Sequence, residues 1–486
     1  EPIILPLSLL YAFHADPRIL LVFQTLTLVS GALPVYLLTR KIIPAWPLLA
    51  ALMATAYLLS PALLGLNIFD FHPVAIATPL LLYALLALEH ARYRWFVACC
   101  VLAACCKEDV PLAIAMLGLL VAWKYRQPRL GLALFVGGIL WSVIAFKVII
   151  PHFYPGLQAN NFWYRYEELG SSPGQAILNL FIRPWIFFGL FFTVGRIWYL
   201  AGLVRSTGFL SLLAPEWLIP ILPSLAVNLL STDPLLYSGV YHYNATIIPF
   251  VMIAAIHGTR RLLERWQIWR GETSDTVAIA PTSDGSASRP VWPPLARKVA
   301  TLPLFSGLLS ATRRAVVAIK PRLVWLSRPS WRAEQWQRFN LRMKPLAGSL
   351  STFRLQWVLF ACITLMFGLN FWIAKPQLDP FWATHDPGSR EQHIEQLLAM
   401  IPPDASVSAS DDLNPHLSER QLLAVFPSVC LDASCNKTVQ YVIVDLNSLT
   451  LANRAQASTK LNSLAAGQFR ILARAEGVVL LIRRSA

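Results

Sequence analysis

Asn67-Ile68-Phe69-Asp70-Phe71-His72-Pro73 is the stretch that decides the fold. It sets an acid and an imidazole between two apolar runs, Trp46–Leu64 and Val74–Leu88, neither of which carries a charge. Polar groups at the mouth of a membrane span are costly unless they are solvated, paired or used. The rest of the chain repeats this pattern of long apolar runs joined by short charged connections. Of its 486 residues, 56% are hydrophobic and 14% charged, with a mean hydropathy of +0.52. Soluble domains carry about 25% charged residues. The composition therefore excludes a soluble enzyme and indicates a mainly α, polytopic transmembrane helical bundle. The net charge of +15 lies in short connections and one linker. That is the positive-inside pattern rather than a nucleic-acid-binding face, so the expected partner is the lipid bilayer and not DNA or RNA.

Taken in order, Pro2–Phe13 is apolar but too short to span, and His14-Ala15-Asp16-Pro17 ends it as a turn. Arg18–Thr39, Trp46–Leu64 and Val74–Leu88 read as spans. Trp95–Cys106 and Val110–Trp123 are short runs on either side of Lys107-Glu108-Asp109, and Leu130–Ile150 is a further span. An aromatic loop, Pro151–Gly174, holds His152 and Arg165. Ala176–Thr193 is interrupted by Arg183-Pro184 and suits the membrane interface. Ile197–Leu213, Trp217–Leu230 and Tyr243–His257 are further spans, with Arg205 awkward inside the first. These runs make residues 1–258 a multi-span membrane domain. Residues 259–354 are a basic linker: from Gly258 to Arg354, 17 Lys/Arg face 5 Asp/Glu. Within it Gly271–Pro290 reads as disordered, and Ala311–Phe339 as a membrane-surface helix. Residues 355–374 form a last span, and residues 375–486 a small soluble α/β domain. That domain's expected strands are Ser406–Ser410, Tyr441–Leu446, Phe469–Arg474 and Val478–Arg483, and its expected helices Arg390–Met400 and Asn414–Leu423. Of seven cysteines, Cys99, Cys100, Cys105 and Cys106 read as packing residues, while Cys430 and Cys435 are spaced for a local disulfide.

Charge sets an orientation. With Arg40-Lys41 inside, crossing parity puts Arg92/Arg94 and Lys124/Arg126/Arg129 inside as well. The Asn67–Pro73 stretch, Lys107-Glu108-Asp109 and the aromatic loop then fall outside, as do Tyr241-His242-Tyr243 and the C-terminal domain if Ala176–Thr193 does not cross. This assigns a multi-pass protein of the cytoplasmic (inner) membrane with an extracytoplasmic C-terminal domain. The basic residues fix the orientation, and the acidic and histidine motifs independently gather on the opposite face. Asp70, His72, Lys107, Glu108, Asp109, His152, Tyr241 and His242 therefore become candidates for one cleft. A carboxylate there can act as a base or bind a metal, a histidine can move protons near neutral pH, and a lysine can pair with a lipid phosphate.

Several of these motifs carry a resemblance. Asn-x-Phe-Asp-Phe-His-Pro after a Ser-Pro-Ala span, Lys-Glu-Asp opening the next hairpin, Phe-Trp-x-Arg-Tyr in the loop and Tyr-His-Tyr before a span resemble a bacterial family. Its members are multi-pass membrane proteins catalogued as a domain of unknown function. The family in turn is similar to the GT-C glycosyltransferases, which use polyprenyl-phosphate sugar donors at the outer face. The match spans roughly Glu1–Arg261, with a looser echo in Ile401–Arg420. Members of that family carry a further span and an acidic outer loop ahead of this point, so Glu1-Pro2-Ile3 resembles the tail of a second motif. The resemblance thus implies an N-terminally truncated chain whose catalytic carboxylate precedes Glu1.

The resemblance implies a GT-C-like membrane glycosyltransferase, or a degenerate relative, at the outer face. Asp70, His72, Glu108 and Asp109 would serve its catalysis by positioning acceptor hydroxyls or a divalent cation. Lys107, His152, Arg165, Tyr241 and His242 would hold the lipid-linked sugar donor. Each motif also has a plain alternative. Asp70 and His72 suit a solvated turn before Pro73, Glu108 and Asp109 suit the next helix's N-terminal dipole, and Tyr241-His242-Tyr243 suits an interfacial aromatic belt. His416 and Asp411-Asp412 read as surface residues. Two other functions remain: a transporter or flippase, which calls for midplane charges on broken helices and an inverted repeat, and a non-catalytic membrane scaffold.

Overall fold

Long apolar runs with few breakers form helices, and breakers end them. The computed structural model describes residues 1–14, 16–153, 163–270, 341, 345, 351–382, 388–430, 438–449 and 451–484. Gly271–Pro290 and Ala311–Phe339, with the disorder and surface helix expected of them, lie outside the described residues.

The membrane part begins with α1 (Ile4–Leu7), α2 (Arg18–Ser30), α3 (Ala32–Ile42), α4 (Pro47–Leu58) and α5 (Pro61–Ile68). It continues through α6 (Val74–Glu89), α7 (Tyr93–Ala104), α8 (Val110–Lys124), α9 (Pro128–Ile144) and α10 (Ile150–Phe153). After the aromatic loop come α11 (Pro173–Ile182), α12 (Pro184–Phe191), α13 (Val194–Arg205), α14 (Leu222–Leu229) and α15 (Ile248–Arg270), and α16 (Thr352–Trp382) closes the bundle. Among the described residues, Arg18–Ile42, Pro128–His152 and Thr352–Pro376 are long and apolar enough to cross a membrane. Only 28%, 17% and 17% of their apolar windows are buried in the protein, which leaves the rest of each facing outward as a lipid-exposed helix does. Two proline-started helices bend runs that read as continuous. α4 and α5 meet at 43° across Ser60-Pro61, and α12 turns 96° away from the helical stretch before it at Arg183-Pro184.

Several sequence expectations are corrected. The run Trp217–Leu230 is not one helix: Pro215–Ile221 is 3₁₀ and only Leu222–Leu229 is α-helical, with Pro220 and Pro223 at the change. The run Ile197–Leu213 does not continue as one helix: α13 stops at Arg205, because Gly208 and Phe209 both take left-handed backbone conformations, with φ of 62° and 60°. In the C-terminal domain, Asn414–Leu423 is not a helix. Only Asn414–Leu417 forms a 3₁₀ turn, after which Leu423–Val425 joins a sheet.

That sheet consists of β1 (Val407–Ala409), β2 (Leu423–Val425), β3 (Tyr441–Asp445), β4 (Phe469–Ala475) and β5 (Val478–Arg483), in the order β2-β1-β3-β5-β4. β1 is parallel to β2 and β3, while β5 is antiparallel to β3 and β4. Two helices, α17 (Ser389–Ala399) and α18 (Leu451–Ala466), cover opposite faces. The period of two explains how. Ile443 and its partner Leu480 pack with Leu397 and Leu398 of α17, whereas Val442 and its partner Leu481 pack with Leu461 of α18. Cys430 is disulfide-bonded, and Cys435 falls outside the described residues.

Candidate functional site

α6, α8 and α15 set the frame of the site. Each begins beside one of the singled-out polar motifs and reaches a second polar cluster further along. α6 follows Asp70-Phe71-His72, α8 follows Lys107-Glu108-Asp109, and α15 follows Tyr241-His242-Tyr243.

The His72 loop is pinned by two polar side chains of α2. Gln24, fully buried, donates from Nε2 to the carbonyls of Leu66 at 3.3 Å and Asn67 at 3.4 Å, and its Oε1 accepts the His72 N–H at 3.0 Å. Thr25 donates to Asn67 Oδ1 at 2.9 Å. The loop on the far side approaches α5 where no side chain intervenes: a Cβ at Gly65 would stand 2.1 Å from the Val240 carbonyl oxygen. Asn228 Nδ2 donates to the Tyr243 carbonyl at 3.2 Å and completes that loop's anchorage.

These anchors bring five aromatic rings together. His72 and His242 stack at 4.0 Å with 15° between their planes, Phe69 stacks on His72 at 5.1 Å, and Tyr241 meets Phe69 edge-on at 4.9 Å. Tyr243 lies 4.2 Å from His242 and 5.7 Å beneath the Lys107 ammonium. His72 Nδ1 donates to the Asp70 carbonyl at 2.8 Å, which leaves Nε2 of the neutral ring as an acceptor. Burial lowers the His72 pKa. His242 is pushed down to about 2 by burial, and by the charge of Lys107 and the neighbouring His72 and Arg165. Both rings are therefore neutral near pH 7. Lys107 stays charged: burial works against its ammonium, and the carboxylates of Asp109 and Glu108 outweigh it.

Asp109 is the residue whose geometry separates a site from a helix cap. It occupies the N-cap position of α8, yet its side chain caps nothing. One carboxylate oxygen lies 4.0 Å from Lys107 Nζ, and the other, Oδ1, is buried without a hydrogen-bond partner. Buried polar atoms are nearly always paired, so an orphan oxygen beside a lysine marks a place for a donor. His242 Nδ1 is a second such orphan. Glu108 contributes its backbone: Ser142 Oγ of α9 donates to its carbonyl at 2.9 Å and holds the turn.

Arg165 comes from the aromatic loop and pairs with Asp233 at 3.2 Å, and its carbonyl takes the Thr232 N–H at 2.8 Å. Its charge acts on His242, which brings it to the same end of the bundle. Asp70 is exposed at the rim, and His152 is exposed at the end of the α9 stretch. The first residues also arrive here, since the Ile3 N–H bonds the Cys105 carbonyl at 3.2 Å and Glu1 lies within electrostatic reach of Lys107. Among the described residues, no three His, Cys, Asp or Glu side chains converge as a metal site does.

Sequence reasoning missed the second cluster, at the far ends of α6 and α8 and midway along α15. Glu89 accepts from Tyr125 Oη at 2.5 Å and pairs with His257 at 3.1 Å, and the Lys41 ammonium caps the Glu89 carbonyl. His257 stacks on Trp217 at 4.8 Å, and Lys124 lies 4.5 Å over the same ring while pairing with Glu216, which also binds Arg261. Arg40-Lys41 and Lys124 read as orientation charges. The partner acids, 48 and 92 residues away, carry no local signal.

A solved structure, ArnT from Cupriavidus metallidurans bound to undecaprenyl phosphate, is similar at 12% identity over 96% of this chain and 84% of that one, with a TM-score of 0.37. No curated protein sequence matches. A family model described as "Predicted membrane protein (DUF2079)" matches residues 1–280 and 316–480, and the chain belongs to that family of membrane proteins.

Proposed function

We propose that the chain is a GT-C-like membrane glycosyltransferase that takes a sugar from a polyprenyl-phosphate donor at the outer face of the cytoplasmic membrane. The single observation that carries this reading is the orphan Asp109 oxygen beside Lys107, near the stacked neutral histidines. Lys107 and Arg165 supply positive charge for a lipid phosphate. His242 is neutral, so it serves the donor through a ring N–H and not through charge. Asp109 Oδ1 and the free lone pair of His72 Nε2 are acceptors with no protein donor to satisfy them, as an acceptor hydroxyl requires. In the transfer, the acceptor oxygen forms a bond to the anomeric carbon, the bond from that carbon to the donor phosphate breaks, and polyprenyl phosphate leaves with the electron pair. The hydroxyl proton passes to a basic group at the site. The sequence resemblance to GT-C enzymes supports the same chemistry.

Transfer from a labelled polyprenyl-phosphate sugar, followed with the protein in lipid nanodiscs, tests the reading. Loss of one positioned base costs about 10²–10⁴-fold in rate. Asp109→Asn combined with His72→Gln should fall in that range, and undiminished transfer by the double variant would remove both residues from the mechanism.

A further inference from the structure

Arg205 takes no part in this cleft. It lies at the last residue of α13 and is 7% exposed, inside a run that reads as a membrane span. Its Nε donates to Asn370 Oδ1 of α16 at 2.8 Å, Asn370 returns a bond to the Gly202 carbonyl at 3.2 Å, and the guanidinium lies 5.8 Å from the Trp198 ring. Among the described residues no carboxylate pairs with it. An interhelical clasp explains one of its three nitrogens and leaves the cation without a protein counter-charge, an unfavourable arrangement in low dielectric.

A cavity of about 460 Å³ stands where the counter-charge is missing. Trp198, Arg205, Asn370 and Ile373 line it together with Tyr237 and Val240 of the loop that leads to Tyr241. That volume lies within the range of about 300–1,000 Å³ typical of small-ligand sites. Two of its lining residues, Trp198 at 58% and Ile373 at 40%, are well exposed on the flank of the bundle, so its mouth faces hydrocarbon. Gly202 keeps the inner wall open: a Cβ there meets nothing but Arg205 Nη2, at 3.9 Å.

We propose that this cavity binds an anionic amphiphile, with the charged head against Arg205 and Asn370 and the hydrocarbon chain passing out between Trp198 and Ile373 into the bilayer. The head supplies the counter-charge that the protein lacks, and the chain stays in hydrocarbon. The proposal does not rest on the sugar-transfer reading, although the cavity extends to Pro234, Tyr237 and Val240 of the loop that leads to Tyr241. Arg196, on the same helix, bonds the Ser231 carbonyl next to the Arg165-bound Thr232, which marks the cleft end, and Arg205 lies nine residues further on, about 14 Å along α13. Binding of a headgroup there would hold α16 against α13.

The test uses the full chain in a neutral maltoside detergent, with thermal unfolding read against added oleate, dodecyl phosphate, inorganic phosphate or uncharged dodecanol. Oleate and dodecyl phosphate should each raise the midpoint saturably, and inorganic phosphate and dodecanol should not. Whichever of the two anions gives the lower half-saturation identifies the head as carboxylate or phosphate. Arg205→Gln should weaken the response at least tenfold. Asn370→Asp keeps the fold by giving Arg205 an internal partner, and should abolish the response while leaving the unliganded midpoint unchanged or higher. Equal protection by dodecanol or by inorganic phosphate, or a full response from Asn370→Asp, would overturn the proposal.

Discussion

Acidification should strike the stacked pair of histidines first. His242 has an ordinary pKa near 6.5 when exposed, and in the folded protein burial and the Lys107 charge push it down to about 2. Between those values the unfolded chain binds a proton that the folded one refuses, so stability falls as pH falls, and it is fully present above the unfolded value. From about pH 7 to about pH 5 the unfolded histidine goes from about one-quarter to nearly fully protonated. Integrating that difference gives a loss of about 2 kcal/mol from this ring alone. His72, also lowered, acts in the same direction. The assay is denaturant unfolding in detergent at the two pH values, for wild type and for His242→Phe, which keeps a flat ring in the stack but cannot titrate. The loss on acidification should be smaller in the variant by about 2 kcal/mol. Equal losses in the two proteins would refute the claim that the stack holds His242 neutral.

Three other perturbations have clear outcomes. Gly65→Ala puts a methyl group 2.1 Å from the Val240 carbonyl, so the Tyr241–Tyr243 loop must move; stability should drop by about 1–3 kcal/mol, and crosslinking between cysteines placed on α5 and that loop should weaken. Gly131→Leu should prise α9 from α8, where a Cβ on Gly131 already meets the Gly118 carbonyl at 2.4 Å; unfolding at lower denaturant is the readout. Tyr125→Phe leaves one bond of the buried Glu89 carboxylate unmade, and should cost about 1–3 kcal/mol in the same unfolding measurement.

How much of this was legible in the chain depends on range. Runs of apolar residues and the prolines and glycines between them are local, so α6, α8, β3 and β5 fall within a residue or two of their expected bounds. The three site motifs were legible because charged and histidine residues are conspicuous between apolar runs, and orientation charges put them together. What Gln24 and Thr25 do was not legible, since a polar pair inside α2 gives no sign that it grips a loop more than 40 residues away. The Arg165–Asp233 pair and the Glu89–His257 pair fail for the same reason, as long-range contacts. Leu423–Val425 is a three-residue strand whose only reason to extend is its parallel partner β1, so the local pattern of Asn414–Leu423 favoured a helix. Arg205 stood out as a charge in an apolar run, but its partner Asn370 and the cavity beside them exist only once α16 packs against α13.

The central claim is that Lys107 and its neighbours form a cradle for a lipid-linked sugar phosphate. The most direct measurement is the Kd of a polyprenyl-phosphate sugar for the nanodisc-embedded protein, with and without Lys107→Met. A hydrogen bond to a charged group is worth about 1.5–3 kcal/mol, and about 1.4 kcal/mol is tenfold in affinity. Wild type should bind saturably, with a Kd at least tenfold weaker in the variant. Equal affinity in the two proteins, or no saturable binding by wild type, would contradict it.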